Sequence, residues 1–201
     1  MKTRITATLF LALACAAGQV VTVHGQGLND VRRLFDSGQY QQVISSAAED
    51  PRVTFLRAQS YEKLQQSNEA RQVYAQLAAR PESDAWQGVG RSALALTASD
   101  AAGALEASNQ AVARDAALPE AYYQQGMALS ANQDFAGAAV AFQKAADLDP
   151  NWAYAHYNAG LAYSKVKRID LTAQHFQTFL KLAPQAPERA QVQSILRTLN
   201  R

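Results

Sequence analysis

From residue 51 onward the chain alternates short apolar-faced stretches with polar turns, and its apolar and small positions recur at a fixed interval. Tyr123, Gly126, Ala128, Phe142 and Pro150 are each matched, at one constant separation along the chain, by Tyr157, Gly160, Ala162, Phe176 and Pro184. Within each block the apolar positions lie three and four apart, the spacing of one helical face, and a second such stretch follows a turn. Pro150 and Pro184 lack an amide hydrogen and restrict the preceding residue, so the second helices are predicted to stop at or near Leu148 and Leu182. Gly126 and Gly160 fall mid-helix, where a side chain would hold the paired helix away. Leu129, Tyr163, Phe142 and Phe176 are predicted to fill the space beside that crossing.

The pattern continues upstream with drift. Ala58, Tyr61, Ala70, Tyr74 and Leu77, followed by Pro81, outline one unit. Trp86, Val89, Gly90 and Ala93, then Ala104, Ser108 and Ala111, outline another, in which matching both helices needs about two extra residues around Thr97 to Asp100. Residues 28–49 read as a shortened first unit with Gly38 and Tyr40 at its turn. At the other end Val192, Ile195, Leu196 and Leu199 predict one more helix, suited to cover the last apolar face of a stack.

The blocks Ala121-Tyr122-Tyr123-Gln124-Gln125-Gly126-Met127-Ala128-Leu129 and Ala155-His156-Tyr157-Asn158-Ala159-Gly160-Leu161-Ala162-Tyr163 resemble the tetratricopeptide repeat, a helix-turn-helix unit whose length equals the interval between them. The resemblance implies an all-α protein, a right-handed α-solenoid of antiparallel helix pairs with a C-terminal capping helix. Units would span about 28–50, 51–82, 83–118, 119–152 and 153–186, within an array over 26–201 capped by 187–201. It also implies a concave surface lined by the first helix of each unit, which in that family commonly holds an extended peptide or a helix. The inward-facing candidates are Arg52, Phe55 and Gln59; Gln87 and Arg91; Tyr123 and Met127; Tyr154, Tyr157 and Leu161. Aromatic, Met and Arg side chains suit an interface, yet Phe55, Tyr123 and Tyr157 could equally pack between neighbouring first helices. The Lys, Arg and Asn clamp by which some family members hold a C-terminal carboxylate is not evident, because Phe55, Gln59, Tyr154 and Asn158 occupy much of that region.

Residues 1–25 differ in kind from the rest. Met1-Lys2-Thr3-Arg4 is a basic start, Ile5 to Ala17 is an uncharged apolar run, and Val23 and Gly25 suit cleavage before Gln26, so the segment reads as an export signal. The expected location is periplasmic or secreted. The alternatives are a membrane anchor through residues 5–23 and a lipoprotein on Cys15, which lacks the usual Leu three places before it. Lys2 and Arg4 are two of the 19 basic residues, and without them the remainder balances the 17 acidic ones. A nucleic-acid partner therefore gains no support from charge. Cys15 is the only cysteine, so a cleaved chain would have no disulfide, thiolate metal site or cysteine nucleophile.

Candidate chemistry is sparse. Outside the leader the histidines are His156 and His175, on different helices of one unit. No Asp or Glu recurs beside them at ligand spacing, so they read as packing residues, and no metal or cofactor is expected. Gly88-Val89-Gly90 follows no strand and lacks a third glycine, which argues against a nucleotide loop. Asp100 and Asp134 are predicted to cap second helices, and Lys165, Lys167 and Arg168 to sit on a solvated turn. The reading that results is a non-enzymatic adaptor for a protein or peptide. The alternatives are a self-associating envelope component and, behind that, a metal- or small-molecule-binding enzyme using the two histidines.

Overall fold

In a computed structural model the described residues are 27–47 and 49–199; the export segment and its alternatives lie outside them. They form eleven α-helices. The first, α1 (Leu28–Asp36), and the short α2 (Tyr40–Ile44) precede four helix pairs: α3 (Pro51–Lys63) with α4 (Ser67–Ala78), α5 (Ala85–Thr97) with α6 (Ala101–Arg114), α7 (Pro119–Ala131) with α8 (Phe135–Leu148), and α9 (Ala153–Lys165) with α10 (Ile169–Leu182). A final helix, α11 (Arg189–Leu199), packs on α10. Each helix packs on the next within and between pairs, the arrangement of a helix-pair solenoid. No helix among the described residues is long and apolar enough to cross a membrane.

The periodicity is tighter than the sequence suggests. The first helices of all four pairs are equal in length, and their starts at Pro51, Ala85, Pro119 and Ala153 are evenly spaced. The turn inside each pair carries one residue in the left-handed region, at Gln65, Ser99, Gln133 and Lys167, again at that interval. The extra residues expected near Thr97 are therefore absent. Matching Gly90 to Gly126 creates the apparent insertion, whereas the residues in register with Gly126 and Gly160 are Ala58 and Ser92, both fully buried. What the position requires is smallness, not glycine.

That requirement is geometric. A Cβ placed on Gly126 would stand 2.7 Å from the Phe142 ring, and one on Gly160 would stand 2.6 Å from Phe176, so the rings occupy the space that the glycines leave. In α5 the two glycines serve other crossings. Gly88 lies against Ala107 and Ala111 of α6, and Gly90 against the backbone at Leu77 and Ala78 of α4.

The helix ends follow from local chemistry. Asp50 and Asp84 accept hydrogen bonds from the Arg52 and Trp86 amides at the starts of α3 and α5, and Asp100 and Asp134 accept from Gly103 and Gly137 at 2.9 Å. The second helices end at Leu148 and Leu182, before Pro150 and Pro184. Trp86 is buried as expected. Trp152, in the turn before α9, is only 2% exposed and stacks on Tyr123 with ring centroids 4.6 Å apart. Arg168 pairs with Asp170 in a solvent-exposed turn.

Candidate interaction groove

The first helices α3, α5, α7 and α9 line one side of the stack, and their side chains do not share one open surface. Phe55, Tyr123 and Tyr154 are buried, at 1%, 5% and 3% exposure. Phe55 meets Tyr123 edge-on at 6.2 Å, two units away along the chain. Asn158 joins units in the same way, donating from Nδ2 to the Tyr123 hydroxyl at 2.9 Å and to the Tyr154 carbonyl at 3.0 Å. Burial pushes the Tyr123 and Tyr154 phenols well above their ordinary pKa, with Glu62 adding to the rise at Tyr123 and Glu188 at Tyr154, so both stay neutral at any physiological pH.

The two ends of the stack close on this side. Phe35 of α1 packs edge-on against Tyr154 at 5.1 Å, and Arg32 reaches Asp149 at 2.7 Å while lying over the Trp152 ring. Glu188, just before α11, accepts from Lys63 at 2.6 Å and from the Tyr154 hydroxyl at 2.7 Å. Burial would raise the Glu188 pKa, and the two hydrogen bonds outweigh it and hold the carboxyl below its ordinary value. The groove is thereby reduced to a pocket of about 230 Å³ lined by Phe35, Gln59, Glu62, Lys63, Tyr123, Met127, Tyr154, Tyr157 and Asn158.

Of the sequence candidates, Gln59, Tyr123, Met127, Tyr154 and Tyr157 converge on this pocket, with Phe55 packed behind Tyr123. The others lie elsewhere. Arg52 is exposed beside Asp50, Gln87 donates to the Arg80 carbonyl in the preceding turn, and Arg91 lines a separate cleft with Asp100, Glu106 and Gln110 of α6. Leu161 packs into the cluster under α11 with Phe179 and Val192. The sequence reading missed Phe35, Lys63 and Glu188, whose contacts join helices of distant units and leave no periodic trace.

One wall atom has no hydrogen-bond partner among the described residues: Oε1 of Gln59, which is itself buried. Two acids near the seat of α1 are also under-satisfied. Asp36 and Glu120 each keep one carboxyl oxygen without a partner. Burial pushes Asp36 up to about 7 against the pull of Arg32, with Asp149 and Glu188 adding to the rise. Burial likewise pushes Glu120 up to about 7 against its own backbone amide, Arg32 and Arg52, with Asp149 adding to the rise.

The histidines, read from sequence as packing residues, have their rings brought together. Nδ1 of His156 on α9 faces Nδ1 of His175 on α10 at 3.1 Å. Nε2 of His156 faces the Pro150 carbonyl at 3.2 Å, and Nε2 of His175 faces Oε1 of Gln143 at 2.7 Å. His175 is 2% exposed and stacks on Tyr163, whereas His156 is half-buried.

Models of the tetratricopeptide repeat match residues 53–83 and 119–152. Those two segments are similar to tetratricopeptide repeats. Among solved structures, a thermophilic TPR protein of Thermus thermophilus aligns over 86% of this chain and 98% of its own, at 15% identity and a TM-score of 0.56. The TPR domain of Arabidopsis OM64 aligns over 58% of this chain and 97% of its own, at 20% identity and 0.55. The TPR2B domain of yeast Sti1, in complex with pHsp70, aligns over 58% and 95%, at 18% identity and 0.53. At these identities the likeness shows the repeat fold alone. No curated protein sequence matches the chain.

Proposed function

We propose that this repeat protein is a non-catalytic scaffold that holds a protein or peptide segment in the groove between α3, α7 and α9. The observation that carries the reading is the pocket itself. Tyr, Met, Asn and Gln side chains from three units converge there, and Oε1 of Gln59 in the wall has no hydrogen-bond partner among the described residues. A buried polar atom without a partner is uncommon in native proteins, and a backbone N–H of a bound segment would supply one. The volume suits one apolar or aromatic side chain as an anchor, with Met127 and Tyr157 as adaptable walls. The yeast Sti1 domain of the same fold, in complex with pHsp70, gives precedent for a protein ligand on stacked repeats.

The place of action we infer is the cell envelope or the exterior, on the strength of the basic start and apolar run of residues 1–25. The test is recovery of partners from an extract of the native host with the parent chain and with a Met127→Ala, Tyr157→Ala variant. Both side chains are only partly buried, and circular dichroism checks that the double variant folds. Tyr123 is unsuitable, because it stacks on Trp152 and its loss would damage the core. The expected outcome is a defined partner retained by the parent and lost by the variant; equal retention by both would remove the groove from consideration.

A further inference from the structure

We propose that His156 and His175 form a binding site for one divalent transition-metal ion of the nitrogen-preferring class, such as Zn²⁺, with the remaining positions taken by water.

The hydrogen-bond partners fix both tautomers. Nε2 of Gln143 donates to Oδ1 of Asp147 at 2.7 Å. A carboxylate only accepts, so the amide orientation is fixed and Oε1 of Gln143 is the end that faces His175. That oxygen also only accepts, which places the proton of His175 on Nε2. The Pro150 carbonyl makes the same demand of His156 and places its proton on Nε2 as well. Both Nδ1 atoms therefore present lone pairs to one shared space, 3.1 Å apart. Two lone pairs at that distance repel unless a cation lies between them.

The distance fits a metal. With metal–nitrogen bonds of about 2.05 Å, nitrogens 3.1 Å apart subtend about 100° at the ion, close to a tetrahedral angle. The outer contacts fit as well. Metal-bound histidines characteristically donate the other ring N–H to a carbonyl or carboxylate, and here one does so to Pro150 and the other to Gln143, itself held by Asp147. His156 is half-buried rather than sealed, which leaves a path for the ion and its waters.

Packing does not account for the pair. In the three preceding units the positions in register with His156 are Thr54, Gly88 and Tyr122, and those in register with His175 are Val73, Ala107 and Ala141. The same helix crossing forms with small or apolar residues, so the last unit alone brings two nitrogen donors together there. Among the described residues no group of three or more His, Cys, Asp or Glu could hold a metal. The site is therefore a two-ligand one, open to exchange.

The test uses the untagged full chain stripped with a chelator, titrated with ZnCl₂ at about pH 7.5, where both rings are neutral, by calorimetry, beside His156→Ala, His175→Ala and Gln143→Ala. The two histidine-to-alanine changes introduce small residues of the kind that other units carry at these places, and circular dichroism checks the fold. The expected result is one Zn²⁺ per chain, at least about tenfold weaker binding in each histidine variant, and a loss of about tenfold for Gln143→Ala through the outer hydrogen bond it gives up. His24 is present in every variant and cannot mimic this pattern. Nitrogen NMR of the parent should show Zn²⁺ shifting both Nδ1 resonances. Absence of binding, or binding equal in parent and histidine variants, overturns the proposal and leaves a proton as the shared cation.

Discussion

At the scale of single residues, the fold is decided by which atoms lack room and which lack partners. Gly160 and Gly126 lie mid-helix, where alanine alone would gain up to about 1 kcal/mol of helix propensity. The added methyl, however, meets a fully buried phenylalanine ring, and overpacking typically costs about 1–3 kcal/mol. Gly160→Ala is therefore expected to lower stability by about 1 kcal/mol in urea unfolding, and an increase would show that the ring moves freely. Gly90→Ala should cost more, because the obstacle is the backbone of α4 and cannot rotate away. The glycines of the last two units were legible from the sequence. Ser92 was not, because a small polar residue replaces the Gly that announces the crossing elsewhere and nearby Gly90 offered a false match, whereas Ser108 was legible from its spacing to Ala104 and Ala111.

Among the elements, α1, the first helix of the shortened unit read over residues 28–49, has distant contacts that the repeat pattern does not explain. It lies against α3 and reaches α9 through Phe35 and Arg32, and its seat carries Asp36 and, across from Arg32, Glu120. Both acids are raised from ordinary values of 3.8 and 4.5 to about 7. A raised folded-state pKa gives stability that is fully present below the unfolded value and lost as pH rises to the folded one. The fold should thus weaken between about pH 4 and pH 7, by on the order of 3–4 kcal/mol per group at most. Asp36→Asn with Glu120→Gln removes both ionisations, so the variant should exceed the parent in urea stability at about pH 8 and lose that advantage at about pH 4. Equal stabilities at the higher pH would mean that the carboxylates find partners as they ionise. The helices themselves, their caps and their stops at Leu148 and Leu182 could be read from residue types and spacing. The docking of α1 could not, since a short amphipathic helix carries no statement of what its apolar side will meet.

At the scale of the whole molecule, stacked repeats ordinarily contact only their neighbours, and their stability then sums over adjacent pairs. Here Arg32 with Asp149 and Lys63 with Glu188 tie the first units to the later part of the stack and its cap, and a groove expected to be open along its length is confined to a pocket. Sequence periodicity described the line of units; it could not show that the ends of that line touch, because those contacts are made once and repeat nowhere. Closure places Met127, Tyr157 and Gln59 around one site and sends Gln87, Arg91 and Leu161 to other surroundings. The most direct test is site-specific photo-crosslinking in the native host, with a photoreactive residue placed in turn at Met127, at Tyr157, and at the outward-facing Val140 and Ile169, which are 67% and 55% exposed. A partner bound in the groove predicts the same covalent adduct from Met127 and Tyr157 and none from Val140 or Ile169. Adducts only from the outer positions would place the binding surface on the opposite side and contradict a groove-bound partner.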